Sequence, residues 1–261
     1  MEVSLIATVH DPDNHLYRMT EEALPALKKL YRAILLACSA QTHPETLTLL
    51  RMSKVLFYRE EGQAGRERLG LVRKEALRRG LEAFPTCHFH LCDFDRALHW
   101  ITFYPEEMRR ALADIIAHDF LIMGRTARAF ATHPPVQAET ERLANLVFSL
   151  AFGQEMDIAG GARGISRRAA EIVLAHSKEN GLGIDAEWPL ILRRFPQMHL
   201  GFLRYEGLEF ETGDGREKEI ARAGGLERWK KDVLGRPEAW VHRLKIACEI
   251  AEAAVRTADG E

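Results

Sequence analysis

The sequence predicts an α/β fold, a mainly parallel sheet flanked by helices and followed by a helical tail. Three observations predict it. Short apolar runs, such as residues 3–9 (VSLIATV) and 33–39 (AILLACS), alternate with longer amphipathic stretches, which is the pattern of βαβ units. The runs are apolar throughout, as strands buried on both faces of a parallel sheet are. The chain has 261 residues, enough for one large domain with an appendage.

Taken in order, residues 3–9 read as a strand and 21–31 as a helix. Residues 33–39 read as a second strand. Thr42-His-Pro-Glu45 has the form of a capping box opening a helix through Leu50. A short strand is expected at 55–58, a helix at 65–83, a strand at 88–92, a helix at 105–117 and a strand at 120–124. Residues 138–152 form a helix with Leu143, Leu146, Val147 and Leu150 at helical spacing. Further helices begin near Ser166 and Asp185, and a short β region lies within 198–210. After Thr212 the composition shifts to a charged tail ending in a helix over 238–257. Its apolar stripe is Val241, Leu244, Cys248, Ala251 and Val255. That stripe predicts docking on the same domain, with a homodimer helix as the alternative. Two units follow, residues 1–212 and a helical extension, 213–261.

Composition excludes several classes. Lys+Arg number 36 against 38 Asp+Glu, for a net charge of −2, so the basic excess of a general nucleic-acid binder is absent. The most apolar helical stretch, 143–152, is about half the ~20 residues of a membrane span. Glu2 and a short first apolar run do not suit a secretory signal. Four cysteines are too few for a disulfide framework, and the expectation is a cytoplasmic protein.

In parallel sheets ligands bind beyond the carboxyl ends of the strands, here the loops 10–17, 39–43, 59–65, 92–96 and 124–137; along the chain, four segments could carry chemistry. The first is Cys87-His-Phe-His-Leu-Cys-Asp-Phe-Asp95. A zinc site from Cys87, His88, His90 and Cys92 is one reading, but alternate strand residues face opposite sides, so Cys87 points away from the others. The other reading uses Asp93 and Asp95, whose carboxylates converge on one cation just past the strand; hard oxygens suit Mg²⁺ or Mn²⁺ with substrate phosphates. The bland reading is an acidic loop with Asp95 as a helix cap. The second segment is Gly124-Arg125, a strand-end arginine able to clamp phosphate, or else a solvated loop residue. The third, residues 157–167 (DIAGGARGISR), is a Gly-rich approach to a helix beginning at Ser166, or an ordinary loop with a serine cap. The fourth is Gly183-Ile-Asp-Ala-Glu-Trp188, where Asp185 and Glu187 supply either a general base or a cap and first-turn charge. H-E-x-x-H, G-x-S-x-G and Walker patterns are all absent.

In their order these motifs resemble those of GT-A nucleotide-diphospho-sugar transferases, most closely glycosyltransferase family 2 with its dolichol-phosphate mannose synthase-like branch, over about residues 3–195. The resemblance runs from the first strand into His10–Asp13, through the Gly-rich 62–70 segment to Asp93-Phe-Asp95. It continues through Met123-Gly-Arg125, the helix bearing Arg142 and Asn145, and Asp157 with Arg163 and Arg167. Glu67-Arg68 stands where the family has arginine-asparagine, and His10-Asp-Pro-Asp-Asn14 replaces Pro-x-x-Asn-Glu. The resemblance implies a Rossmann-like sheet and a glycosyltransferase that moves a sugar from a nucleotide-diphosphate donor to an unknown acceptor. Asp93 and Asp95 would hold Mg²⁺ or Mn²⁺. Asp11, Arg68, Arg125 and Arg163 would contact the nucleotide or its phosphates, and Asp185 or Glu187 would be the base. The altered motifs leave an inactive nucleotide- or sugar-binding module as the alternative.

Overall fold

The computed structural model describes residues 2–62, 65–84 and 88–260. Seven strands form one sheet: β1 (Val3–Val9), β2 (Ile34–Cys38), β3 (Leu56–Arg59), β4 (His88–Asp93), β5 (Phe120–Arg125), β6 (Ala162–Ile165) and β7 (Leu200–Tyr205). The helices are α1 (Tyr17–Leu30), α2 (Pro44–Met52), α3 (Leu69–Ala83), α4 (Phe94–Phe103), α5 (Pro105–Ile116), α6 (Ala127–Ala131), α7 (Pro135–Phe152), α8 (Arg167–His176), α9 (Ile184–Arg193), α10 (Glu217–Ala223), α11 (Leu226–Arg228) and α12 (Pro237–Asp259).

The strand order is β3-β2-β1-β4-β6-β5-β7. All neighbours pair in parallel except β6, which runs antiparallel to both β4 and β5. The chain builds outward from β1 through β2 to β3, then returns to the other side of β1 with β4. That reversal opens a crevice beyond the carboxyl ends of β1 and β4, where ligands bind in open α/β sheets. Apolar cores cover both faces of the sheet. Leu5, Leu36, Phe94 and Leu98 lie in one, and Ile6, Phe89, Ile122 and Trp188 in the other.

Several expectations change. The segment after β4 is no turn: α4 starts at once, with Phe94, Ala97, Leu98 and Ile101 buried. Their i, i+3, i+4, i+7 spacing is legible in the sequence. The Gly-rich approach contains the strand β6. Ser166 caps α8, accepting the Ala169 N–H at 3.2 Å. The capping box at Thr42 does not form: His43 is the N-cap of α2, while the Thr42 hydroxyl donates to the Val9 carbonyl at 3.2 Å. The α7 stripe points outward, with Leu143 54%, Leu146 55% and Leu150 75% exposed. In α12 the buried residues are Ala247, Ile250, Ala253, Ala254 and Thr257. The expected stripe lies on the other face, because small residues let α12 sit close on α7 and α9. No helix among the described residues is long and apolar enough to cross a membrane.

Candidate active site

A cavity of about 320 Å³ occupies the β1–β4 crevice. Thr8, Val9 and His10 from the end of β1 line it. So do Ser39 and Ala40 after β2, Arg68, Leu69 and Val72 at the start of α3, and Asp93 and Asp95 at the β4–α4 junction. The structure thus brings together Arg68, Asp93 and Asp95, which lie apart in sequence.

The two aspartates differ. Register places Thr8 opposite Asp93, and the Thr8 hydroxyl donates to Asp93 Oδ1 at 2.6 Å. Arg73 Nη2 adds contacts of 3.1 and 3.3 Å to the same carboxylate. Burial opposes ionisation of Asp93, but the Arg73 guanidinium and the Thr8 hydroxyl hold it below the usual carboxylate range. Asp95 stands in the first turn of α4 and, among the described residues, accepts only the Arg96 backbone N–H, at 2.8 Å. Burial, then the Glu211 and Asp93 carboxylates, push it up to about 7. Glu211 is also raised, chiefly by burial. Arg96 donates to Glu211 Oε1 at 2.8 Å, whereas Glu211 Oε2 is buried without a partner among the described residues. A carboxylate oxygen buried and unsatisfied beside a second carboxylate is costly unless a proton or a cation joins them.

These hard oxygens therefore fit a divalent cation, with Asp95 and Glu211 the available donors and Asp93 held by its neighbours. No ready-made group of three or more His, Cys, Asp or Glu ligands exists among the described residues. Of the alternative zinc set, Cys87 lies outside the described residues. His90 Nδ1 is in a buried 2.6 Å hydrogen bond with the Tyr31 hydroxyl. Gly161 approaches this region in a left-handed conformation, φ +68°, and a side chain there would begin 3.5 Å from Asp93 Oδ2.

Other expected site residues carry the framework. Arg73 Nη1 donates to Asp185 Oδ1 at 3.1 Å and Arg163 Nη2 to the same oxygen at 2.9 Å. Asp185 is thus the buried counter-ion of two guanidiniums. Arg163 is lowered from its usual range, by burial and by the Arg73 charge. Glu187 accepts the Ser177 hydroxyl and the Lys178 and Glu179 N–H groups, so its charge secures the loop between α8 and α9. Asp11 accepts from His15 N, Leu16 N and the Thr46 hydroxyl, shaping the loop after β1 behind the cavity. Arg125 is sealed from solvent. Its Nε and Nη2 fork onto Asp157 at 2.8 Å each, and Nη1 reaches Glu141 at 2.7 Å. Asn145 fixes Asp157 from the other side at 2.8 Å. Arg125 is thus neutralised by two carboxylates, although it borders an open cavity of about 830 Å³ with Arg142 and Arg204.

Sequence reading missed Arg73, Arg96 and Glu211. Arg73 had a signal, since it faces the sheet from one turn into α3. Glu211 had none, because only the return of the chain after β7 brings it to α4.

This sheet order, with β6 alone reversed and a crevice at the β1–β4 switch point, is the GT-A fold of nucleotide-diphospho-sugar transferases. Solved structures of that fold match the chain. One is glucosyl-3-phosphoglycerate synthase from Mycobacterium tuberculosis in complex with Mn²⁺, uridine diphosphate and phosphoglyceric acid. It shares 12% identity at a TM-score of 0.54, covering 98% of this chain and 78% of that one. A mycobacterial protein of unstated activity matches at 12% identity and a TM-score of 0.53, covering 86% and 75%. The same synthase with uridine diphosphate matches at 12% and 0.52, covering 94% and 80%. At such identities the likeness is one of fold. No family model matches the chain, and no curated protein matches it in sequence.

Proposed function

We propose that this chain is a metal-dependent glycosyltransferase, moving a sugar from a nucleotide-diphosphate donor to an acceptor. The observation that carries the reading is the placement of Asp93 and Asp95 at the mouth of the β1–β4 cavity, with Arg68 on its wall. In this reading residues 1–212 form the nucleotide-sugar domain and 213–261 an extension. The branch nearest dolichol-phosphate mannose synthases remains part of the proposal.

Breaking the glycosidic bond leaves negative charge on the departing nucleoside diphosphate. Mg²⁺ or Mn²⁺, held by Asp95 and Glu211, would neutralise that charge as a Lewis acid. Asp93 keeps its ionised carboxylate aimed at the same region because Thr8 and Arg73 fix it. Arg68 supplies a cation to the diphosphate. The small-residue wall of Ala37, Ser39 and Ala40 admits the nucleoside. Asp11 holds the loop that borders it, and Arg163 supports Asp93 through Asp185 and Arg73. An acceptor would approach from the open cavity beside Arg125. Its hydroxyl must lose a proton; of the two sequence candidates, Asp185 lies one guanidinium from Asp93, whereas Glu187 is committed to its loop. A cytoplasmic location accords with this donor chemistry.

One observation favours a second reading, a nucleotide- or sugar-binding module without transfer: both candidate bases already serve as counter-ions or loop anchors. A panel of nucleotide sugars with Mn²⁺, scored for transfer and hydrolysis and in parallel for thermal stabilisation, separates the two. Turnover that Asp95→Asn abolishes supports the enzyme. Binding without turnover supports the module. Absence of both turnover and stabilisation across the panel sinks both readings.

A further inference from the structure

Helix α12 has two dissimilar faces. Ala247, Ile250, Ala253 and Ala254 are buried against the body of the protein, yet the larger apolar side chains face solvent. Val241 is 54%, Leu244 43% and Val255 49% exposed, and Cys248 between them is an exposed free thiol. With Ala251 these residues are spaced 3, 4, 3 and 4 apart, the a/d seam of a coiled coil over two heptads. A shallow groove of about 390 Å³ runs along the seam, bordered by Lys245, Glu249 and Glu252.

The seam is self-complementary. Val241 and Val255 stand equally far from Cys248, on opposite sides. Lys245 precedes it and Glu252 follows it at nearly matching distances. A second copy of the helix laid antiparallel across Cys248 therefore sets Val241 of one chain near Val255 of the other. It also brings each Lys245 within one residue of the other chain's Glu252. A two-fold axis forms every such contact twice. Both charges are available: Lys245 makes no ion pair among the described residues, and Glu252 reaches Arg256 only at 3.8 Å.

We propose that the chain forms a homodimer in which two α12 helices pack antiparallel about Cys248. A seam of two heptads is short, so association is expected to depend on concentration. The candidate active site is separate from this surface, so the proposal stands or falls independently of the enzymatic reading.

Sedimentation velocity across a concentration series tests it. The expected result is a mass that rises from one chain to two. Leu244→Glu, on an exposed position, should hold the protein monomeric throughout with its circular-dichroism melt unchanged. Lys245→Glu and Glu252→Lys should each weaken the dimer about tenfold or less, and the double variant should recover most of that loss. A short bis-maleimide should link Cys248 to Cys248 in the wild type and not in Leu244→Glu. The proposal is overturned by a wild type that stays monomeric across the series. It is equally overturned by a dimer that resists Leu244→Glu and yields to Leu146→Glu on α7.

Discussion

One nitrogen of Arg73 contacts both carboxylate oxygens of Asp93, at 3.1 and 3.3 Å. The other terminal nitrogen of the same guanidinium is held by Asp185. Arg73 therefore couples the mouth of the cavity to a buried ion pair behind it, and Asp185 acts on Asp93 through Arg73. Removing Asp185 leaves Arg73 and Arg163 sharing what remains of their counter-charge. Asp185→Ala is expected to cost about 3–5 kcal/mol, the range for breaking a buried pair from one side, measured by urea denaturation. Asp185→Glu should recover part of it.

Asp95 and Glu211 supply the cation prediction. A carboxyl raised to about 7 must lose its proton before it can hold a metal, so cation binding strengthens as pH rises through that value. Mn²⁺ should raise the melting temperature more at pH 8 than at pH 5.5, the pair of conditions that brackets a proton loss near neutrality. Asp95→Asn should abolish the shift at both. Glu211→Gln should weaken it and move its onset to lower pH, because the neighbouring negative charge is gone. A shift equal at both pH values would refute the assignment.

His99 gives a stability prediction of known sign. Burial disfavours its charge, but Asp214 at 2.7 Å and Glu209 at 3.2 Å raise it above 6.5. A histidine with a raised folded pKa stabilises fully below its unfolded value and loses that contribution as pH rises through the folded value. Wild-type stability should therefore decline from about pH 6.5 upward relative to His99→Gln, whose difference curve isolates this residue. A flat difference across that window would remove the ion pairs from the account.

Arg68 and Arg125 should behave oppositely. Arg68 lines the cavity and helps little in folding, so Arg68→Ala should weaken nucleotide binding about ten- to a hundredfold, the value of one charge-assisted contact. Its denaturation midpoint should stay unchanged. Arg125→Ala strands the buried Asp157 and Glu141 carboxylates, and should cost about 3–5 kcal/mol of stability. Calorimetry beside denaturation on the two variants checks the contrast.

The legible part of the fold was local. The apolar runs marked six of the seven strands, and a buried strand is recognisable from its own few residues. The short strand β6 was not, since Arg163 and Gly164 interrupt its apolar character and its partners on both sides determine its role. The Asp93–Asp95 pair was also legible, because a carboxylate just past an apolar run reads directly as a strand-end polar group. Helix α4 is written in the spacing of Phe94, Ala97, Leu98 and Ile101, although the acidic pair at its start has the look of a strand-end loop.

By itself, the sequence determined the alternation of strands and helices, the strand-end aspartates and the heptad spacing in the last helix. Each depends on neighbours within a few positions of the chain. Only the tertiary structure decided which charges are free. Arg73 and Asp185 are 112 residues apart, Arg96 and Glu211 are 115 apart, and no local pattern pairs them. An ionic side chain's role is set by whichever opposite charge the fold buries beside it. That is why Arg125, Asp185 and Glu187 serve the framework, while Arg68 and Asp95 line the β1–β4 cavity.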